Sequence, residues 1–233
     1  MKKHVLIGIP SNSDWKADFG LSLTNMCMAT LKHGDKEVTV ASSKGRMLPR
    51  QRHDLVIEAR AVGATHLLFL DCDMIFPNDT LDQLLFWDKP VVAANYVMKV
   101  IPSVPVTRVW KDGKWEIVFT TKQSENLEEV HRVGTGILLL DMKVFNTLRQ
   151  PWFPFPWCGD EDLYQGEDWT FCERLEEAGF PLFIDHNVSK EVGHVGNLTY
   201  KHGHVRPEYI VKKKGEKFRK WEDRGMVNSG GLY

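Results

Sequence analysis

Apolar positions along the chain fall alternately into short continuous runs and helical stripes. "HVLIGIP" at 4–10 is a β-branched run stopped by Pro10, "SNSDWKADFG" has loop chemistry, and "LSLTNMCMATLKHG" repeats apolar residues at helical spacing. "EVTVASS" predicts a second strand, "LPRQRHDLVIEARAVGA" a second helix with Leu55, Val56, Ala59 and Val62 on one face, and "THLLFLD" a third strand. Strands alternating with helices build a parallel sheet covered on its faces by helices. The expected fold class is therefore α/β, a Rossmann-type, mostly parallel sheet flanked by helices.

Further along, "NDTLDQLLFW" predicts a helix capped by Asn78 or Asp79, and "PVVAANYV" a short buried strand. The period then changes. "VPVTRVWKDGKWEIVFTT" alternates around Asp112-Gly113, a hairpin signal, so an antiparallel pair joins the sheet or lies beside it as a flap. "VHRVGTGILLLD" predicts one more strand, "GEDWTFCERLEEAGF" an amphipathic helix ending at Gly179, and "PLFIDH" and "EVGHVG" two short closing strands. Residues 1–199 form the expected domain. Residues 200–233, with Lys212 to Lys214, Lys217, Arg219 and Lys220, are expected as a basic C-terminal tail or helix, either a solvated face or a lid or acceptor contact.

Composition narrows the partners only a little. A chain of 233 residues suits one large domain, and a formal charge of -1 gives no general attraction to nucleic acid or anionic membrane. No apolar run reaches the roughly 18 residues of a membrane span, and "MKKHVLIGIPSN" is too short and polar for a signal peptide, which leads to the expectation of a cytoplasmic protein. The four cysteines show no CxxC pairing and read as reduced thiols.

The candidate chemistry lies in "LLFLDCDMIF", 67–76, where Asp71 and Asp73 end an apolar strand. Ligands of parallel sheets bind beyond the carboxyl ends of the strands. Because side chains alternate along a strand, residues i and i+2 point to one side, so both carboxylates can converge on one point, and two such anions call for a hard divalent cation, magnesium or manganese. A plain strand-end turn is the competing reading.

The segments "HVLIGIPSN", "RHDLVIEARAVGATHLLFLDCDMIFP", "VGTGILLLDMKVF" and "GEDWTFCERLEEAGF" come in the order found in GT-A fold glycosyltransferases. Over residues 4–196 the chain resembles the large inverting family of nucleotide-sugar transferases, in the compact form of bacteria and phages. The resemblance implies a metal-dependent transferase with a nucleotide-sugar donor, UDP being the commonest. It leaves the acceptor open among glycan, glycolipid, protein and modified nucleic acid.

Carried onto this chain, the resemblance places Pro10, Ser11 and Asn12 in the nucleotide loop. Asp71 and Asp73 bind metal and diphosphate, and Gly134 and Gly136 lie beneath the donor sugar. Arg52 matches the arginine that opens the helix before the DxD strand, with Arg60 as the alternative; His53 stands where the family has Asn. Asp168 is implied as catalytic base with Glu167 supporting it. His194 is implied as the residue completing the metal shell, in competition with His186, His202 and His204. Taken without the resemblance, the glycines also suit a bulge, and Glu167 and Asp168 suit the start of a helix.

Three rival functions share parts of the pattern. An aspartyl-phosphate phosphatase uses a similar DxD, but Met74-Ile75 replaces the Gly-Thr that follows it there. A sugar nucleotidyltransferase needs a Gly-rich basic loop that "GIPSNSDW" lacks. A carbohydrate-binding protein on the same fold would also use the aromatic stretch 151–166, read here as part of the acceptor site, with Trp152, Trp157 and the following Trp169.

Overall fold

Strand β1 (Lys3–Ser11) is buried from Val5 to Ser11, and a strand buried on both faces needs cover on both sides. In a computed structural model describing residues 2–12, 14–159 and 163–206, that cover is two layers of helices. After β1 come α1 (Ala17–Lys32), β2 (Lys36–Lys44), α2 (Leu48–Ala61) and β3 (His66–Leu70). β1 runs between β2 and β3 and parallel to both, with Val5 opposite Val38 and His66.

The chain continues through β4 (Met74–Ile75), α3 (Thr80–Phe86), β5 (Val91–Ala93), β6 (Arg108–Lys111), β7 (Lys114–Ile117), β8 (Leu127–Val130), β9 (Ile137–Asp141) and α4 (Val144–Thr147). It then forms β10 (Trp157–Cys158), β11 (Leu163–Tyr164), α5 (Glu167–Glu177), β12 (Leu182–Asp185), α6 (His186–Glu191), β13 (Gly193–Val195) and β14 (Thr199–Tyr200). The central sheet has the order β2-β1-β3-β9-β5-β12-β8, in which β9 and β8 run against the other strands.

Alternation along β3 divides the core. Leu67 and Phe69 pack with Leu55, Val56 and Ala59 of α2 and with Phe171, Cys172 and Leu175 of α5. Leu68 and Leu70 face the other way, toward Phe19, Leu23 and Met26 of α1 and Leu81 and Leu84 of α3. Each fully buried Leu or Phe contributes about 1.5–3 kcal/mol, and truncating one such as Leu68 to Ala costs about 2–5 kcal/mol.

Several expectations change locally. The run "VHRVGTGILLLD" is a strand only from Ile137 onward, as β9; its first residue, Val130, ends β8, and the glycines between the two pack against Tyr96. The hairpin β6–β7 is its own two-stranded sheet, turning at Asp112 and Gly113 with φ of 51° and 75°. "EVGHVG" does not join the main sheet: α6, capped by Asp185 through bonds to the amides of Asn187 and Val188, precedes it, and β13 pairs with β4 and β14 in a small second sheet. The stretch 151–166 carries the short hairpin β10–β11.

Residues 200–206 of the basic segment pack on the domain. His202 Nε2 meets the Asn95 carbonyl at 2.7 Å, and Ser103 N donates to the His204 carbonyl at 3.1 Å. The lysine-rich remainder of that segment lies outside the described residues. No helix among the described residues is long and apolar enough to cross a membrane. All four cysteines are free thiols.

Candidate functional site

β3 ends at Leu70, and Met74 N donates to the Asp71 carbonyl at 3.1 Å, so Asp71 to Met74 form a turn rather than more strand. The simple i, i+2 convergence expected of a continuing strand is therefore not what the chain adopts. Each carboxylate instead meets its own partners.

Asp71 is held from below. Arg52, on the buried face of α2, donates from Nη2 to Asp71 Oδ1 at 3.1 Å and brings Nε to 3.6 Å from Glu167 Oε1. Its guanidinium lies over the Phe69 ring at 5.4 Å, and Nε and Nη1 are buried without a hydrogen-bond partner. Desolvation would lower the pKa of Arg52, but the charges of Asp71 and Glu167 outweigh it and hold the group protonated. One cation thus ties the end of β3 to the start of α5. Arg60, the alternative, lies elsewhere: it donates to the Phe145 carbonyl at 2.6 Å and stacks over Trp152.

Asp73 is held from the small sheet. The pairing of β13 with β4 sets His194 opposite Met74, and Val195 N donates to the Asp73 carbonyl at 2.7 Å. His194 Nε2 then lies 3.4 Å from Asp73 Oδ1, while Nδ1 is 2.9 Å from the Val97 carbonyl. The other carboxylate oxygen, Oδ2, accepts from Lys99 Nζ. Burial alone would raise the Asp73 carboxyl, yet the bonds to His194 and Lys99 prevail and hold it at about 2. Of the competing histidines, His186 is enclosed by Thr120 and Glu128, and His202 bonds the Asn95 carbonyl.

Asp168 lies in the first turn of α5, behind the N-cap Gly166. A Cβ on Gly166 would come within 2.8 Å of Asp168 Oδ1, so glycine there lets the carboxylate fold back to accept from Trp169 N at 2.8 Å. Burial pushes its carboxyl up from 3.8 to about 6, Glu167 adds to the rise, and Arg52 opposes it. Asp71, Glu167 and Asp168 all act on the same Arg52 and form one electrostatic cluster.

Tyr96 fills the space left open by the GTG glycines. A Cβ on Gly134 would stand 2.3 Å from the phenol oxygen and one on Gly136 2.9 Å from Cζ, while Gly136 N donates to that oxygen at 3.3 Å. At the end of β1, Ser11 is buried and Asn12 exposed, and Lys16 N donates to the Cys72 carbonyl at 3.1 Å, tying the loop after β1 to the DxD turn.

Neither a known family model nor a curated protein matches the chain. Solved structures do. A197 from STIV aligns at 18% identity and TM-score 0.51, over 83% of this chain and 86% of that one. GalNAc-T7, solved with UDP, GalNAc and Mn2+, aligns at 13% identity and TM-score 0.54 over 84% of this chain. The fold is that of the GT-A glycosyltransferases. This GT-A chain spans 44% of the length of the GalNAc-T7 chain.

The residues at the GT-A strand end fit a divalent cation in one specific way. His194 sets Nδ1 against the Val97 carbonyl and Nε2 against Asp73; with a cation bound between them, a ring donating Nδ1–H to that carbonyl would turn Nε2 to the cation, the orientation that metal-ligating histidines adopt. Two neighbouring ligands of an octahedral ion with bonds of about 2.1 Å stand about 3 Å apart. The observed 3.4 Å is close to that spacing. Among the described residues no three acids, histidines or cysteines form a ready cage, so such an ion would take the rest of its shell from ligand and water.

Tyr96 and Lys99 are absent from the sequence-based set. Tyr96 ends an apolar run like many core tyrosines, and Lys99 follows in an unpatterned loop; neither carries a local signal.

Proposed function

We propose that the chain is a metal-dependent glycosyltransferase that moves a sugar from a nucleoside diphosphate to an acceptor hydroxyl with inversion. The observation that carries this reading is the half-buried Asp168 carboxyl, sharing Arg52 with Asp71 at the carboxyl end of β3 in a GT-A fold.

Asp168 acts as general base. With a carboxyl pushed up to about 6, it is ionised at neutral pH and still basic enough to accept a proton from an attacking hydroxyl. Glu167 and Asp71, both near Arg52, raise its proton affinity, and Arg52 positions the two acids without touching substrate. Asp73 and His194, with Asp71 behind them, would hold manganese or magnesium, which when bound offsets charge on the departing diphosphate. Pro10, Ser11 and Asn12 border the same edge and take the nucleotide. Gly134 and Gly136, with Tyr96 laid across them, form the floor for the donor sugar.

The acceptor side is the β10–β11 hairpin leading into α5. Phe155 and Tyr164 stack with ring centroids 5.2 Å apart, Trp157 meets Tyr164 edge-on at 5.0 Å, and all three are exposed. Exposed flat aromatic faces beside a catalytic base suit the apolar face of a sugar ring, which favours a glycan acceptor.

GalNAc-T7 holds UDP and Mn2+, which makes them the first nucleotide and metal to try. The test is release of nucleoside diphosphate from a panel of nucleotide sugars with manganese, with and without oligosaccharide acceptors. Release that requires manganese and is lost in Asp168→Asn supports the reading. No release from any donor overturns it.

A further inference from the structure

Asp73 is already neutralised by this chain's own side chains. Lys99 Nζ donates to Oδ2 while His194 Nε2 faces Oδ1, so both oxygens of the carboxylate that would ligate a metal are engaged. Lys99 is held near Asp73 by its backbone. Met98 N donates to the Val104 carbonyl at 2.9 Å, Val106 N to the Tyr96 carbonyl at 3.0 Å, and Val97 bridges Pro105. Val97 also supplies the carbonyl that orients His194. The Lys99 side chain is 34% exposed, so the ammonium rests at the mouth of the site at the end of a long flexible stem.

A divalent cation and an ammonium cannot share one carboxylate edge without strong repulsion. Metal entry therefore requires Lys99 to leave Asp73. A displaced ammonium at the mouth of a metal site has one obvious anion to meet, the diphosphate that shares the metal.

We propose that Lys99 is an exchangeable internal cation. It occupies the Asp73 carboxylate while the site is empty and transfers to the donor's diphosphate when metal and nucleotide bind together. This rests on the metal-dependent reading of the same site and adds a consequence to it: Lys99 couples metal to nucleotide. Manganese alone competes with Lys99 and binds weakly, whereas manganese with nucleotide gives Lys99 a new partner and binds tightly, a reciprocal linkage between two ligands.

The experiment is manganese binding, read by the electron paramagnetic resonance signal of the free ion, to wild type, Lys99→Met and Lys99→Arg, each checked for folding by circular dichroism. Each protein is titrated alone and with UDP, GDP, ADP or CDP. Lys99→Met is expected to bind manganese alone at least about tenfold more tightly than wild type, and to lose about tenfold of the enhancement that nucleotide gives to wild type. Lys99→Arg, which keeps the charge, is expected to stay near wild type. If wild type binds manganese with nucleotide and Lys99→Met binds manganese alone no better, the Lys99 proposal is overturned and the metal reading stands. If no protein binds manganese under any condition, both fall.

Discussion

Arg52 Nη2 lies 3.1 Å from Asp71 Oδ1 with the arginine side chain 2% exposed, so the strand-end carboxylate is fixed by a cation out of reach of water. Removing that cation leaves Asp71 and Glu167 without their shared counter-charge. Arg52→Met is expected to destabilise the fold by about 3–5 kcal/mol, the usual cost of breaking a buried pair on one side. Arg52→Lys is expected to fall between, because a single ammonium cannot serve both acids as a planar fork does. Urea denaturation checks both; a loss under about 1 kcal/mol in Arg52→Met would make the pair incidental.

As the proposed base, Asp168 is expected to tie activity and stability to pH in opposite senses. Its folded pKa of about 6 exceeds the ordinary 3.8, so between these values the folded state holds more protons than the unfolded one, and stability falls as pH rises. The full effect is up to about 3 kcal/mol, complete above pH ~6. Asp168→Asn, which keeps an oxygen to accept from Trp169 N, is expected to melt higher than wild type at pH 8. It should also lose about a hundredfold or more of transfer while retaining donor binding. Transfer by wild type is expected to rise through about pH 6 and then level. A variant with lower melting temperature and normal turnover would reduce Asp168 to a helix-start residue.

Gly134 is expected to tolerate no side chain while Tyr96 is present. A Cβ 2.3 Å from the phenol oxygen must move the ring, so Gly134→Ala is expected to cost about 1–3 kcal/mol, the range for overpacking. Combined with Tyr96→Leu, much of that cost should vanish. Additive losses in the double-mutant cycle would show that the two sites do not press on each other.

Substitution at Trp157 distinguishes the proposed acceptor side from the donor side. Trp157→Ala is expected to raise the KM for a glycan acceptor about tenfold or more through lost stacking, with donor hydrolysis unchanged. Equal acceptor KM in both proteins would move the acceptor away from the β10–β11 hairpin.

Strand and helix order is legible in the chain because sheets covered on both faces need continuous apolar runs such as "LLFL", and helices between them need a stripe such as Leu55, Val56 and Ala59. The position of Asp71 follows from the same rule, since it stands where β3 runs out. Long-range pairing is harder to see. Nothing near His194 announces that β13 pairs with the two residues after Asp73, and the bond that orients its ring comes from Val97, nearly a hundred residues earlier. The turn at 71–74 and the contact with Lys99 depend on backbone paths that periodicity does not encode. The GTG glycines are visible as small residues, but only the fold reveals that their open space is taken by Tyr96.

Asp73 and His194 are expected to bind a divalent ion jointly with a nucleoside diphosphate. Isothermal titration of UDP into the wild-type protein, with manganese and again with chelator, tests it most directly. Binding with manganese is expected to weaken at least about tenfold in chelator and in Asp73→Asn, with the fold of that variant intact. UDP binding of equal strength in manganese and in chelator would contradict it.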